Sequence, residues 1–257
     1  MSERLRSSSD QALILVKALP HRSSNYFETV CCAGIGLDQK WRRQYPVPFR
    51  VLDPQQQFKR WTWIQYEYTS PRDDKRSESQ KVVPESIQIN GTMKQAERAR
   101  FLAPLIRESA KEAQSKGESL TLVRPNQMNL SWRKKSTNEV EDETRKHADL
   151  ANQLSLLDRP AKPMDPCPYE FHFEWATSAG SKHRHVCDDW ETSTAFFKRR
   201  SALGEEAALA SLKSTYEEDY LKRGVVFALG THKRRQDQWL LVGIIRLDEF
   251  MQSELPL

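Results

Sequence analysis

The sequence predicts an α+β protein, with a small curled β-sheet or barrel in the N-terminal half and a sheet plus helices in the C-terminal half. Three observations lead there. Residues 12–69 read as four or five short strands with hardly any helix, and a barrel or curled sheet is the economical way to bury their apolar faces. Residues 169–175 alternate strictly, with Tyr169, Phe171, Phe173 and Trp175 set against Glu170, His172 and Glu174; that is the period of a half-buried strand. Residues 204–221 place Leu209, Leu212, Tyr216 and Tyr220 at helical spacing.

In chain order, residues 1–11 are polar and expected to be a disordered tail. Residues 12–19 are apolar and branched and stop at Pro20, which reads as a strand. A second strand is expected over 26–33, ended by Gly34 and Gly36, then extended pieces over 41–45 and 47–52 because Pro46 and Pro48 bar helix. Asp53 and Pro54 suit the N-cap and first position of one helical turn over 54–58. Residues 61–69 alternate again, with Trp61, Trp63 and Gln65 on one face. A polar loop over 70–81 precedes a strand over 82–89. Helix is expected over 93–102 and again from Pro104 to about Gln114, with Gly117 just past its end. A short strand follows over 119–123. Residues 138–158 are acidic and helix-prone, and the four prolines between 159 and 168 mark a linker. After the strand at 169–175, a helix over 189–200 is capped by Asp188 or Asp189, and a second runs over 204–221. Strands over 224–231 and 238–247, joined by a basic loop, form a hairpin. The expected division is therefore a β-rich N-terminal half over 12–125, an acidic and Pro-rich connector over 126–168, and an α+β half over 169–257.

The chain has 257 residues, a formal net charge of +5, 38% hydrophobic and 29% charged residues, and four cysteines. No apolar run reaches the length of a membrane span, and the first residues lack the apolar core of a secretory signal. No membrane partner is expected. Four cysteines in a chain this long do not make a disulfide scaffold, so a reducing cytoplasm is expected. There is no GxxxxGK[ST], no GxGxxG and no GxSxG, so no nucleotide cofactor or nucleophile elbow is expected.

Cations and aromatic rings interleave in two places. Residues 41–50 read WRRQYPVPFR and residues 59–63 read KRWTW. Phosphates need cations and unstacked bases need flat faces, so Arg42, Arg43, Arg50, Lys59, Arg60, Trp61 and Trp63 are candidate nucleic-acid contacts. The alternative is that the rings fill a barrel core while the arginine stems cover its rim. Arg42 and Arg43 cannot both face one way on a strand. Lys233, Arg234 and Arg235 in the hairpin loop add a third basic element.

The densest polar cluster is HRHVCDDWE at 183–191. If it is extended, His183, His185 and Cys187 share a face, and Cys167 or His172 could complete four zinc ligands. No paired-Cys or HExxH spacing supports this. The same residues could instead supply a nucleophile, Cys187, with His185, Asp188, Asp189 and Glu191 as acid or base. The structural alternative is a helix cap with Trp190 packed beneath it. Cys31 and Cys32 sit side by side in an expected strand and point to opposite faces; either could be a reactive thiol, and a buried structural role suits their apolar neighbours.

The runs LVKALPHRSSNYFETVCCAGI (15–35), WRRQYPVPFRVLDPQQQFKRWTWIQ (41–65), SLTLVRP (119–125), PYEFHFEW (168–175), DDWE (188–191) and WLLVGII (239–245) resemble a widespread, poorly characterised bacterial family. Its members occur in mobile and phage-defence gene neighbourhoods, which implies work on DNA. One such neighbourhood inserts 7-deazaguanine bases into DNA. The chain is similar in size to a small protein of that system that converts the 7-cyano base to the 7-amido base. The resemblance implies DNA as partner, with a flipped modified base, and other proteins of a modification system. It implies a thiol (Cys31, Cys32 or Cys187) attacking the nitrile carbon with a carboxylate (Asp188, Asp189 or Glu191) nearby. Relatives carry a Cys/His-containing insert before DDWE, where this chain reads ATSAGSKHRH (176–185) without paired Cys; that departure weakens the zinc reading. The expected function is a DNA-acting protein that hydrolyses such a nitrile, or else a non-catalytic nucleic-acid-binding module that recruits a partner enzyme.

Overall fold

The structure is a computed structural model that describes residues 7–23, 27–155 and 164–249. The first strands are β1 (Ser8–Lys17), β2 (His21–Ser23), β3 (Phe27–Ile35), β4 (Trp41–Val47), β5 (Thr62–Thr69) and β6 (Ser79–Thr92). They are followed by α1 (Gln95–Leu102), β7 (Ile106–Arg107), α2 (Ala110–Ser115), β8 (Leu120–Val123), β9 (Gln127–Lys134) and α3 (Thr137–Ser155). The chain continues through β10 (Tyr169–Ala176), β11 (Lys182–Val186), α4 (Trp190–Leu203), α5 (Glu205–Ser214), β12 (Val225–Thr231) and β13 (Trp239–Arg246). Two compact units result, one of residues 1–93 with 136–166 and the other of 94–135 with 167–257. They cut across the segments expected at 12–125, 126–168 and 169–257. The reason is long-range pairing: β8 hydrogen-bonds β12 and β9 hydrogen-bonds β10, which draws 94–135 into the second unit.

In the first unit, β1, β5, β6, β4 and β3 hydrogen-bond in that order, and β3 returns to β1, so five strands close a barrel. All pairs are antiparallel except β4 with β6. Numbered along the chain, the five barrel strands run 1-2-3-5-4-1, the Greek-key order of an OB-fold. Ile14 and Ile64 are fully buried inside it, and Leu13 and Ile35 are fully buried on the other face of the same sheet, each stabilising the fold by about 1.5–3 kcal/mol. Gly34 is needed where β1 crosses β3, because a Cβ there would lie 2.5 Å from the Leu13 carbonyl oxygen. A chain of polar groups crosses the interior. Gln44 Nε2 donates to Tyr66 Oη (3.1 Å), Tyr66 Oη to Gln80 Oε1 (2.5 Å), and Gln80 Nε2 to Asp10 Oδ2 (2.7 Å). These bonds tie β4, β5, β6 and β1 together and satisfy groups that would otherwise be costly to bury.

Several local expectations change here. Residues 8–10, expected in the disordered tail, extend β1 and pair with Tyr68, Glu67 and Tyr66; residues 1–6 lie outside the described residues. Phe49–Val51 is a 3₁₀ turn rather than extended chain. Pro54–Gln56 is a second such turn, with Pro54 at its start. Pro104 lies in a 3₁₀ turn that leads into β7, so the helix expected from there begins only at Ala110, where Ser109 accepts from the Glu112 amide. Residues 159–163 of the proline linker fall outside the described residues.

The second unit has a four-stranded sheet, β13-β12-β8-β7, and a three-stranded sheet, β11-β10-β9. A parallel bridge between Cys187 and Leu241 connects them. The alternation read at 169–175 is the reason for the core: Phe171, Phe173 and Trp175 turn inward and meet Phe196 of α4, Leu209 and Leu212 of α5, and Phe227 of β12. The helix expected to reach Leu221 changes to π-helical turns at Thr215–Tyr220. There Glu217 Oε1 accepts from the Leu130 amide (2.7 Å), and Lys213 Nζ donates to the Leu130 carbonyl (3.0 Å). Two side chains thus occupy the outward amide and carbonyl of Leu130 in the middle of β9's outer edge, where another strand would otherwise add. Among the described residues, no helix is long and apolar enough to cross a membrane.

Candidate nucleic-acid interface

The outer face of β4 carries one of the contacts expected in the interleaved run, Arg43, together with Trp41 and Tyr45 of the same run. Gln44 is fully buried and bonded to Tyr66 inside the barrel, so its neighbours Arg43 and Tyr45 point outward. Trp41 shares their parity. Tyr45 is 40% exposed, while Trp41 and Arg43 are half-buried. The register places Arg43 between Ala33 of β3 and Ser79 of β6. Its guanidinium lies 3.6 Å from Glu78. Burial, and then the neighbouring Arg76, lower its pKa to about 10, so it stays cationic at neutral pH. Beside it, Arg76 grips Asp74 with two hydrogen bonds (2.9 and 2.6 Å), and Ser79 Oγ donates to the same carboxylate (2.9 Å). Burial alone would raise the Asp74 pKa; the bonds from Arg76 and Ser79 outweigh it and pull the carboxyl to about 2. The end of the loop between β5 and β6 is joined to β4 by the Arg43 amide, which donates to the Glu78 carbonyl (2.8 Å).

The other expected contacts scatter. Arg42 turns the opposite way from Arg43, and its Nε donates to Asp10 Oδ2 at 2.6 Å while a terminal nitrogen meets Asp38 at 3.1 Å. Burial would lower its pKa, but the two carboxylates win and raise it. Arg50 pairs with the buried Glu28 at 3.0 Å. Trp61 does not share the Trp63 face: it is 6% exposed, has φ 69°, and its backbone bonds Ile14 and Met93. The left-handed backbone breaks the alternation one residue before β5 starts. Trp63 is half-buried on β5, Lys59 is exposed and Arg60 half-buried. β6 lies between β5 and β4, so KRWTW and the β4 row are separate patches of the barrel. Lys233, Arg234 and Arg235 are exposed in the hairpin loop of the second unit.

The sulfur-centred expectations meet burial. Cys32 points into the barrel, and burial raises its pKa far above the ordinary thiol value. Cys31 is half-buried on the outer face, close enough to Arg43 for the two to interact electrostatically. Cys187 is 5% exposed, and its Sγ donates to Thr192 Oγ1 at 3.5 Å. Burial, then the charge of Asp189, push its thiol up to about 12. A thiol so placed is not a thiolate at neutral pH, which removes the basis for its activation. Asp189 is the N-cap of α4: Oδ1 accepts from the Glu191 amide (3.0 Å) and Oδ2 from the Ile244 amide (2.8 Å). Both lobes of this carboxylate are occupied in holding α4 to β13. Asp188 and Glu191 are half-buried on either side of the cap, and the Asp188 amide bonds the Leu241 carbonyl. His185 Nδ1 accepts from Trp175 Nε1 at 3.1 Å, so no nucleophile–base pair forms with Cys187 through that nitrogen.

His183, His185 and Cys187 do share one side of β11, as extended chain requires, but His172 lies on the opposite face beside Glu170 (3.0 Å) and Cys167 packs against the core. Among the described residues, no group of three or more His, Cys, Asp or Glu could hold a metal ion. Trp41, Tyr45 and Arg76 are the interface residues that residue patterns did not single out. Trp41 and Tyr45 lay in the interleaved run; nothing local to 70–78 signals that the parallel β4–β6 pairing would bring Arg76 to Arg43.

Residues 8–106, which include the barrel strands, match a family model described as Domain of unknown function (DUF8758). No curated protein matches the sequence. Residues 104–255, more than half of the chain, match a second model, and the chain belongs to that family, Domain of unknown function (DUF8757).

Proposed function

We propose that the protein is a nucleic-acid-binding module that lays an unpaired strand across the outer face of β4. One observation carries this reading: Trp41, Arg43 and Tyr45 stand in a single outward row on the third strand of a barrel with OB-fold strand order. That face of such barrels binds oligonucleotides and oligosaccharides. Aromatic rings take successive bases, at about 1–3 kcal/mol per base, and a cation between them takes the backbone. The resemblance to proteins of DNA-modification and phage-defence neighbourhoods makes DNA the ligand to test first. It also favours a role in presenting a strand, or a base within it, to a partner enzyme. Burial of Cys187 and Cys32 argues for this module over a chain that does the chemistry itself.

The test is fluorescence anisotropy of the full chain with a labelled single-stranded oligodeoxynucleotide of about 16 nucleotides, the upper site size of one such barrel. Binding that weakens steeply with salt and falls about tenfold in Tyr45→Ala supports the module. Binding unchanged in both Tyr45→Ala and Arg43→Ala would remove β4 as the interface.

A further inference from the structure

The hairpin between β3 and β4 has a tip that the reading of β4 leaves unused. Its last cross-strand pair is Ile35 with Trp41, so residues 36–40 form the tip. Leu37 stands there at 70% exposure, more than any other large apolar side chain among the described residues. An exposed leucine on a loose loop would mean little. This loop is not loose. Gly36 N donates to the Lys40 carbonyl (2.9 Å), Gln39 N to the Gly36 carbonyl (3.1 Å) and Lys40 N to Asp38 Oδ1 (3.2 Å). The Arg42 guanidinium braces the turn, donating to Asp38 Oδ2 (3.1 Å) and to the Lys40 and Trp41 carbonyls (3.3 Å each), while its Nε holds Asp10 of β1. A Cβ at Gly36 would lie 2.6 Å from Asp38 Oδ1 and 2.9 Å from Arg42, so the brace closes only over glycine. These bonds hold Leu37 out in water rather than letting it fold back onto the barrel.

The tip continues the outward row. Arg42 faces one side of the hairpin and Trp41, Arg43 and Tyr45 the other, about 7 Å from one to the next along the strand. Leu37 and Tyr45 are two of the five large apolar side chains left exposed among the described residues, and this one hairpin carries both. Lys40 is exposed at the tip, and Lys81, the β6 partner of Tyr45, is exposed at the far end of the row. The hairpin joins the second and third strands of the barrel, whose face binds oligonucleotides in OB-folds. A single apolar side chain is too little for a protein partner, which would bury about 800 Å² of this surface around an apolar centre. It is enough for a wedge, because one leucine pushed between base pairs unstacks them.

We infer that this tip is a wedge and that the ligand of the β4 row is a junction, where a DNA duplex opens into a single strand. Leu37 covers the last base pair, Lys40 meets a phosphate beside it, and the released strand passes over Trp41, Arg43 and Tyr45. The inference rests on the reading of β4 as a nucleic-acid interface and adds the class of its ligand. The test uses the full chain with a duplex of about ten base pairs carrying a single-stranded tail of about 16 nucleotides, with 2-aminopurine in the last pair before the tail. The tailed duplex should bind at least about tenfold tighter than the blunt duplex or the tail alone, and the 2-aminopurine should brighten as it unstacks. Leu37→Ala brings the tailed duplex down to the affinity of the tail and loses the brightening; Leu37→Met, which keeps an apolar side chain, retains both. A tailed duplex bound no more tightly than the tail, or brightening of native size in Leu37→Ala, overturns the wedge. If Tyr45→Ala and Arg43→Ala weaken binding of the tail but no brightening occurs in the native chain, the wedge fails alone. If Leu37-dependent brightening survives both of those variants, the β4 reading fails and the wedge stands. If no DNA binds, both fail.

Discussion

The outer face of β4 and the turn from β11 into α4 are alike as sequence and unlike as structure. Both are short runs that mix rings and charges. On β4, alternation sends Gln44 inward to Tyr66 and leaves Trp41, Arg43 and Tyr45 outside, one of them 40% exposed. In the 183–191 run, the groups with the most reactive chemistry are the ones used internally. Cys187 is sealed against Thr192, and Asp189 spends both oxygens on backbone amides. Density of polar residues therefore does not identify a site; what matters is whether their hydrogen-bonding capacity is already spent inside the fold.

The largest effect that could break this comparison is at Asp189. Asp189→Ala removes a helix cap and the carboxylate that accepts from the buried Ile244 amide, and we expect a loss of about 3 kcal/mol in urea unfolding. A variant with native stability would return Asp189 to the pool of functional groups. Next comes Arg43→Ala, for which oligonucleotide affinity should fall about tenfold with a shallower salt dependence, while the stability midpoint moves little. A loss of stability without a loss of affinity would make Arg43 a structural partner of Glu78 only. Smaller is Glu217→Ala, which uncovers the Leu130 amide; a cost of about 1 kcal/mol and a rise in self-association by light scattering are expected.

Acid titration sharpens the β4 side. The Asp74 carboxyl is depressed from 3.8 to about 2 in the folded chain, so the stability it contributes is present above 3.8 and is lost as pH falls toward 2. Asp74→Asn should lower stability near neutrality and flatten the acid limb of the stability curve in that window. The smallest effect concerns thiol reactivity. In the native chain Cys31 should react with a disulfide reagent before Cys32 and Cys187, both of which are nearly inaccessible. Early labelling of Cys187 would reopen its candidacy as a nucleophile.

Much of this was legible residue by residue. Alternation at 61–69 and 169–175, Pro54 at a turn start, Asp189 before Trp190 and the apolar pair of hairpin strands are local signals, and each has its expected element in the structure. The strand at Gln127–Lys134 was missed although Met128, Leu130 and Trp132 alternate with Asn129, Ser131 and Arg133; only its pairing with β10, about forty residues away, is a long-range matter. The Trp61 face was misjudged, since a single left-handed residue resets the period and leaves no mark in composition.

By itself, then, the sequence determined the α+β class, the strand-rich first half, the cap of α4, and the fact that Arg42 and Arg43 must diverge. Those follow from period, propensity and chain geometry within a few residues. Only the tertiary structure decided that five strands close in OB-fold order, that Arg76 arrives beside Arg43, that Cys187 is sealed, and that His183 stacks on Trp175. Those outcomes depend on which distant strands share hydrogen bonds, and register between remote segments is set by the fit of the whole core rather than by any local pattern.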